Sequence, residues 1–392
     1  MNSSPLETTA VSSNPIDARE AVLLAPYAMP SRCSAGRRHD EPAHPYRSPF
    51  ARDRDRIVHS AAYRRLSYKT QVFMGDAGDY HRTRLTHTLE VASIARTVGR
   101  ALRLNEDLIE ALALAHDIGH PPFGHAGEDA LDQCLAEVGG FNHNRQAIRI
   151  VELLETRYLG FPGLNLSIEV LDGQRTRAEK NPGGPTPLLE VQVVDAADSV
   201  AYDTHDADDA LELELLELGE LLQWPLWQEA ASRVRRRFTG LADSQLRLAI
   251  VHELIDWQVG DLIAGSRRHL RERGVDGVEC VRAAGILIAP SPALAVEKLA
   301  LESRLYDRVY RHPDLLARRR CAQDSLREMF DGYLARPDGL PEKFVHRAKS
   351  DGLPRTVGDY LAGMTDRFAR RQHELILTRR VPDRPPCGGT LE

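Results

Sequence analysis

Apolar positions recur at helical spacing from about residue 46 to about residue 379, and strand-like alternation is hard to find. FARDRDRIVHSAAYRRLSYKTQVF, residues 50–73, reads as a charged amphipathic helix followed by a turn. Between Tyr80 and Leu104 the spacing of Leu85, Leu89, Ala92, Ile94, Ala95 and Val98 predicts a helix. Asn105 is a good N-cap for the next one, Glu106 to about His116, with Leu108, Leu112 and Ala115 on one face. Gly119, Pro121 and Pro122 stop it, because proline lacks the amide that a helix interior needs. A further helix runs from His143 to Leu154, with Ile148, Val151 and Leu154 as its buried positions. The Gly/Pro-rich segment 161–187 reads as a surface excursion, and Leu188 to about Leu222 as a long helical stretch with a break near Asp208. The expected fold is all-α, one large domain over residues 46–380. Residues 1–45 form a disordered or loosely docked tail, and residues 381–392 a flexible one.

Composition narrows the class. The 392 residues are 42% hydrophobic and 28% charged, ordinary for a globular protein. Net charge is −6 and the sequence pI is about 6.2, so no global basic excess advertises nucleic-acid or membrane binding. Cys33, Cys134, Cys280, Cys321 and Cys387 are scattered and form no CxxC, which argues against a disulfide framework or zinc-thiolate site and fits a reducing cytoplasm. The first twenty residues lack the basic start and apolar run of a secretory signal, and no stretch approaches the roughly 20 apolar residues of a membrane span.

The chemistry concentrates in AHDIGHPPFGHAGE, residues 115–128. Divalent cations are held by carboxylate oxygens and imidazole nitrogens. Neighbours on a helix point about 100° apart, so His116 and Asp117 can share one ion only at a helix end, where Gly119 and Pro121 place them. Two more ligands fit: His87, polar among apolar neighbours in a helix, and Asp198, an acid inside an otherwise apolar helix. Each residue alone reads as an ordinary hydrogen-bonded or ion-paired side chain. The four together read as a metal site.

This H…HD…D pattern resembles the HD-superfamily metal-dependent phosphohydrolases. The surrounding text is similar to one branch, the bacterial deoxyguanosinetriphosphate triphosphohydrolase-like enzymes, which cleave deoxynucleoside triphosphates (dNTPs) to deoxynucleoside and inorganic triphosphate. The resemblance rests on RDRDRIVHSAAYRRLSYKTQVF, RTRLTHTLEVASIARTVGRAL, ALAHDIGHPPFGHAGEDAL, GFNHNRQAIRIVE, FPGLNLSIEVL, VVDAADSVAYDTHDADDAL, DRVYRHP and DYLAGMTDRFA, and spans roughly residues 50–370.

The resemblance implies an HD core at about 80–205, a C-terminal helical part at about 206–380, and roles for particular residues. His87, His116, Asp117 and Asp198 match metal ligands. His125 matches a histidine that protonates the leaving 5′ oxygen or otherwise shuttles protons, and Glu128, three residues on, faces it on a helix and would orient it. His120 and His143 match positions around the α-phosphate. Asp198, Tyr202 and Asp206 form a stripe at i, i+4 and i+8, in which Tyr202 would line the deoxyribose and Asp206 accept from its 3′-hydroxyl. Gln71 matches a sugar contact and Arg84 a triphosphate contact. Lys298, Arg308 and Tyr310 are further substrate candidates.

The mixed donor set suits Mn²⁺ or Mg²⁺, or Fe, Co or Ni, over structural zinc. The implied partners are a dNTP and further copies of the chain, with nucleic acid at most a weak effector and no membrane. The alternatives are another HD-type nucleotide phosphohydrolase or a regulatory nucleotide-binding protein with little turnover. Base preference and subunit number are open at this point.

Overall fold

In a computed structural model, the described residues are 14–72, 82–179, 184 and 186–380. They carry eighteen α-helices and no strand; the nearest approach to a sheet is two isolated antiparallel bridges, Arg37 with Ser167 and Thr70 with Thr83. The all-α expectation holds. The helices are α1 (Pro15–Leu23), α2 (Pro49–Val58), α3 (Ala61–Arg65), α4 (Arg84–Ala101), α5 (Glu106–Ala115), α6 (Gly124–Cys134), α7 (His143–Arg149), α8 (Ile168–Ala178) and α9 (Leu189–Glu212). They continue with α10 (Leu218–Leu221), α11 (Pro225–Arg237), α12 (Asp243–Glu272), α13 (Val278–Ala284), α14 (Pro292–Leu305), α15 (Pro313–Ala335), α16 (Glu342–Asp351), α17 (Leu353–Ala362) and α18 (Asp366–Arg380).

Local chemistry explains the starts that matter. Thr83 caps α4 by accepting from the Thr86 amide, and the Thr86 hydroxyl accepts from the Thr83 amide in return. Asn105 caps α5, with Glu106 and Asp107 in the positive first turn. Three apolar clusters hold the helices together. The first joins α2, α4, α5, α8 and most of α9. The second joins α6, α15, α17 and α18. The third joins the end of α9 to α11, α12 and α14. Helix α9 therefore runs from one core into another, carrying its polar stripe between them.

Several boundaries differ from the sequence reading. Residues 14–45 are docked by specific contacts: the Met29 amide donates to Glu190 (2.9 Å), the Ala35 amide to Glu169 (2.6 Å), and Arg37 pairs with buried Asp53. Their polar composition hid this, because hydrogen bonds and ion pairs anchor them alongside only a short apolar run, in which Leu24, Tyr27, Ala28 and Met29 pack against the first core. Residues 161–179 are no surface excursion either. Leu164, Leu166 and Val170 are buried in the first core, and α8 begins at Ile168. Helix α9 continues unbroken through Asp208, ending at Glu212. Leu89 is 51% exposed, because the buried face of α4 runs through His87, Val91, Ile94 and Val98. Ile148 and Leu154 are only half-buried. Tyr80 and the tail 381–392 lie outside the described residues. No helix among the described residues is long and apolar enough to cross a membrane.

Candidate active site

Helix α5 ends at Ala115, and the relaxed backbone beyond it presents His116 and Asp117 together, as their spacing predicts. The His116 Nδ1–H donates to the Ala113 carbonyl (2.6 Å), which fixes the ring and leaves Nε2 with its lone pair. Nε2 is buried and has no hydrogen-bond partner. His87 from α4 and Asp198 from α9 converge on it. His87 Nε2 lies 3.0 Å and His116 Nε2 3.8 Å from Asp198 Oδ1. Asp117 Oδ1 is 3.4 Å from His116 Nε2. A buried, unsatisfied imidazole nitrogen beside two carboxylates is costly unless a cation completes it. The His87, His116 and Asp198 donor atoms lie within 4.8 Å of one another, so these residues fit a divalent ion.

Electrostatics agrees. Burial opposes the charge on Asp198 and Asp117, yet the neighbouring cationic and imidazole groups outweigh it. His116, His87 and Arg177 hold Asp198 below the usual carboxylate range, and His116, His120 and Arg84 do the same for Asp117. Burial pushes the His116 and His120 imidazoles down, toward the neutral form that offers a lone pair to a cation.

Beyond the turn, α6 supplies His125 and Glu128. The expected His125–Glu128 pair is a three-residue cluster. Glu128 accepts from His125 Nδ1 (3.2 Å), from the His143 amide (2.9 Å) and from His143 Nδ1 (2.8 Å). Burial opposes the Glu128 charge, but the bonds from both histidines drop its pKa far below the ordinary value. The His143 ring stacks on His120 with centroids 3.8 Å apart. The His125 side chain is 62% exposed.

Gly119 allows this assembly: a Cβ there would sit 2.0 Å from the His143 carbonyl oxygen, so any other residue would push α7 and its histidine away. Asp366, at the start of α18, ties the turn to the chain before α4. It accepts from the Phe123 amide (3.0 Å) with one oxygen, and from the Thr70 amide (3.0 Å) and hydroxyl (2.6 Å) with the other.

Further along α9, the Tyr202 ring stacks near that of Tyr310, with centroids 6.1 Å apart, and the Tyr310 hydroxyl donates to Asp206. Burial pushes the Asp206 carboxyl up to about 7. The Gln71 side-chain oxygen is buried and unpartnered, while its carbonyl accepts from Arg84 (3.1 Å).

Comparisons with known proteins identify the family. Residues 84–203 match the HD domain family and residues 288–375 the phosphohydrolase-associated domain. The deoxyguanosinetriphosphate triphosphohydrolase-like protein of Azoarcus sp. is 45% identical over 370 residues, covering 91% of this chain and 97% of the relative. The chain belongs to the deoxyguanosinetriphosphate triphosphohydrolase-like family. Like-named proteins of Ralstonia pickettii (42% identical; 90% of this chain, 94% of the relative) and Geobacter sulfurreducens (43%; 89% and 94%) agree.

Within this member of the deoxyguanosinetriphosphate triphosphohydrolase-like family, three cations differ from the sequence reading. Lys298 was expected to face a triphosphate. It is buried instead, bonded to Asp203, to Gln258 (2.8 Å) and to the Ser199 carbonyl (3.5 Å). The reason is Asp203, a buried acid that requires a counter-charge. Arg308 is exposed and paired with Glu220 (2.7 Å). Arg84 is bonded to Asp117 (2.8 Å), so it supports the ion's corner as well as facing any anion there. Sequence reasoning missed Arg177 on α8, which donates to Asp198 (2.9 Å), stands 3.3 Å from Asp195, and keeps Nη1 buried without a partner. It lies in the segment mistaken for an excursion. The spacing of Ile168, Val170 and Leu171 was the signal that could have revealed its helix.

Proposed function

We propose that the chain is a divalent-metal-dependent hydrolase of deoxynucleoside triphosphates, releasing a deoxynucleoside and inorganic triphosphate. The observation that carries this reading is the buried donor set around the orphaned His116 Nε2, set beside the His125–Glu128–His143 cluster. The names of the curated relatives supply the substrate class.

His87, His116, Asp117 and Asp198 would hold the ion, with Mn²⁺ or Mg²⁺ the first candidates. The ion supplies Lewis acidity at a phosphoryl oxygen and a more acidic water. Water attacks the α-phosphorus and the bond to the 5′ oxygen breaks. His125, open to solvent and oriented by Glu128, protonates the departing 5′ oxygen. His120 and His143 flank the α-phosphate, and Glu128 orients the His143 ring. Arg84 and Arg177 lend positive charge beside the two acids they hold. Tyr202, with Tyr310 behind it, offers a flat wall for the deoxyribose, while Asp206 and Gln71 supply polar atoms for its 3′-hydroxyl. The active unit is residues 46–380 together with the docked residues 14–45, in the cytoplasm, as a homo-oligomer.

Each dNTP, singly and mixed, would be incubated with Mn²⁺ or Mg²⁺ and the products separated by anion exchange, beside a His116→Ala/Asp117→Ala control. Triphosphate and deoxynucleoside, absent from the control, are the expected products. Pyrophosphate or phosphate would move the cleaved bond and overturn the reaction proposed, and no product under any combination would overturn the enzyme.

A further inference from the structure

A separate cavity of about 120 Å³ backs onto the HD turn. Arg65, Lys69, Ile118, Gln146, Lys343 and Arg347 are among its lining residues. The proposed reaction gives it no role, and its elements come from both sides of the family match: Arg65 and Lys69 precede the HD domain, while Lys343 and Arg347 lie on α16 in the phosphohydrolase-associated domain.

Its charge is unbalanced. Among the described residues, none of Arg65, Lys69, Lys343 and Arg347 has a carboxylate within 4.0 Å. Of the two acids in the wall, Asp359 is already held by Arg149 (2.5 Å) and Gln146 (3.1 Å), and Glu155 accepts from the Ala62 amide (2.8 Å). Arg347 Nη1 is buried with no partner, and Nη2 has only a long contact to the Leu153 carbonyl (3.5 Å). The Lys69 ammonium is fully buried and donates to two carbonyls, those of His120 (2.5 Å) and Ala362 (3.0 Å). Three cationic side chains, together with Lys69, whose ammonium pKa burial pushes down to about 7, thus surround a small hollow, and the orphaned Arg347 nitrogen calls for an anionic acceptor.

We propose that this cavity binds a phosphate-sized oxyanion, through Arg347, Arg65 and Lys343 with Lys69 behind them. Its volume lies well under the roughly 300–1,000 Å³ of pockets that enclose drug-sized ligands, so a nucleoside does not fit inside. The ligand is free inorganic phosphate, or the phosphate of a nucleotide whose nucleoside stays outside. A bound anion would tie α16 to Lys69 and, through the Lys69–His120 bond, to the floor of the catalytic site. This inference does not rest on the proposed reaction.

The test is calorimetric titration of the full-length, metal-loaded protein with inorganic phosphate and, separately, with a deoxynucleoside 5′-monophosphate, at constant ionic strength. The chain with His116→Ala/Asp117→Ala is titrated alongside, to remove binding at the metal corner. One phosphate is expected to bind the wild type and that double variant alike. Arg347→Gln and Arg65→Gln should each weaken it about tenfold or more, the loss of a charge-assisted bond, and Arg347→Lys should recover part of it. Helix α16 buries no residue of its own, so Arg347→Gln should fold, and an unchanged circular-dichroism spectrum checks this. The tighter of the two ligands names the source. Binding unchanged in Arg347→Gln and Arg65→Gln, binding lost with the metal corner, or no binding of either ligand would each overturn the site.

Discussion

Asp198 and Asp206 stand eight residues apart on one face of α9, in the same unbroken helix, and their surroundings treat them in opposite ways. Asp198 faces two imidazoles and Arg177, which hold it ionised against the penalty of burial. Asp206 faces a tyrosine hydroxyl, with Asp209 nearby, and burial raises it to about 7. Residue type is identical and the two positions differ by only about 80° around the helix, so neither decides the difference. What decides it is what the neighbouring helices bring: cations and lone pairs at one end, a phenol and further acids at the other. In the proposed function these two environments suit two tasks, one carboxylate holding a cation and the other exchanging hydrogen bonds with a neutral hydroxyl.

The largest effect should come from neutralising the ionised end. Asp198→Asn is expected to lower metal content and to reduce dNTP turnover by about 10³-fold or more, since an ion at a phosphoryl group contributes several kcal/mol. Elemental analysis and product formation measured on the same sample check both. Full metal occupancy would remove Asp198 from the ligand set.

Asp203, between the two, is the third case: a buried acid neutralised by Lys298. Lys298→Ala should lower stability, most strongly above about pH 7, because it leaves the Asp203 carboxyl buried without its counter-charge. Denaturant unfolding reads that loss. A stable variant whose KM for dNTP rises would instead return Lys298 to the substrate.

How legible this was depends on the kind of information each residue carries. His87, His116, Asp117 and Asp198 could be found in the sequence because helix phase and helix ends fix their directions. The sharing of Glu128 between His125 and His143 could not, since it depends on how closely α7 packs over Gly119. Lys298 was misread for a similar reason: an exposed and an ion-paired lysine look the same until the partner helix is in place. Arg177 was hidden in a polar stretch whose contacts are ion pairs, which leave no apolar period behind, and in residues 14–45 the apolar run that packs on the core, from Leu24 to Met29, is too short to show one. The all-α fold was readable because it rests on that period.

His125→Ala sharpens the separation of metal and proton chemistry. Turnover should fall by roughly 10²-fold, the usual scale for a general acid, with metal content unchanged. A variant as active as the wild type would take His125 out of the reaction and leave the proton to His143 or solvent.

The smallest effect is expected at the other end of the comparison, and it has the opposite sign for stability. Asp206 has its folded pKa raised from 3.8 to about 7, so the folded chain keeps a proton that the unfolded chain releases from about pH 4 upward. Folding stability attributable to this group therefore falls as pH rises through that window, and the penalty is complete above about pH 7. Asp206→Asn keeps an acceptor for the Tyr310 hydroxyl and removes the titration. Its Tm should exceed that of the wild type by a few degrees at pH 8, roughly 2–4 °C per kcal/mol in a chain of this order of size, with the gap closing toward pH 5. The pH slope should shrink without vanishing, because burial raises Asp203 to about 7 as well. Turnover should fall, since the amide is a weaker acceptor for the sugar hydroxyl than the carboxylate. If the Asp206→Asn variant proved less stable than the wild type at pH 8, the carboxyl would have to be held ionised by a partner, and the contrast with Asp198 would collapse.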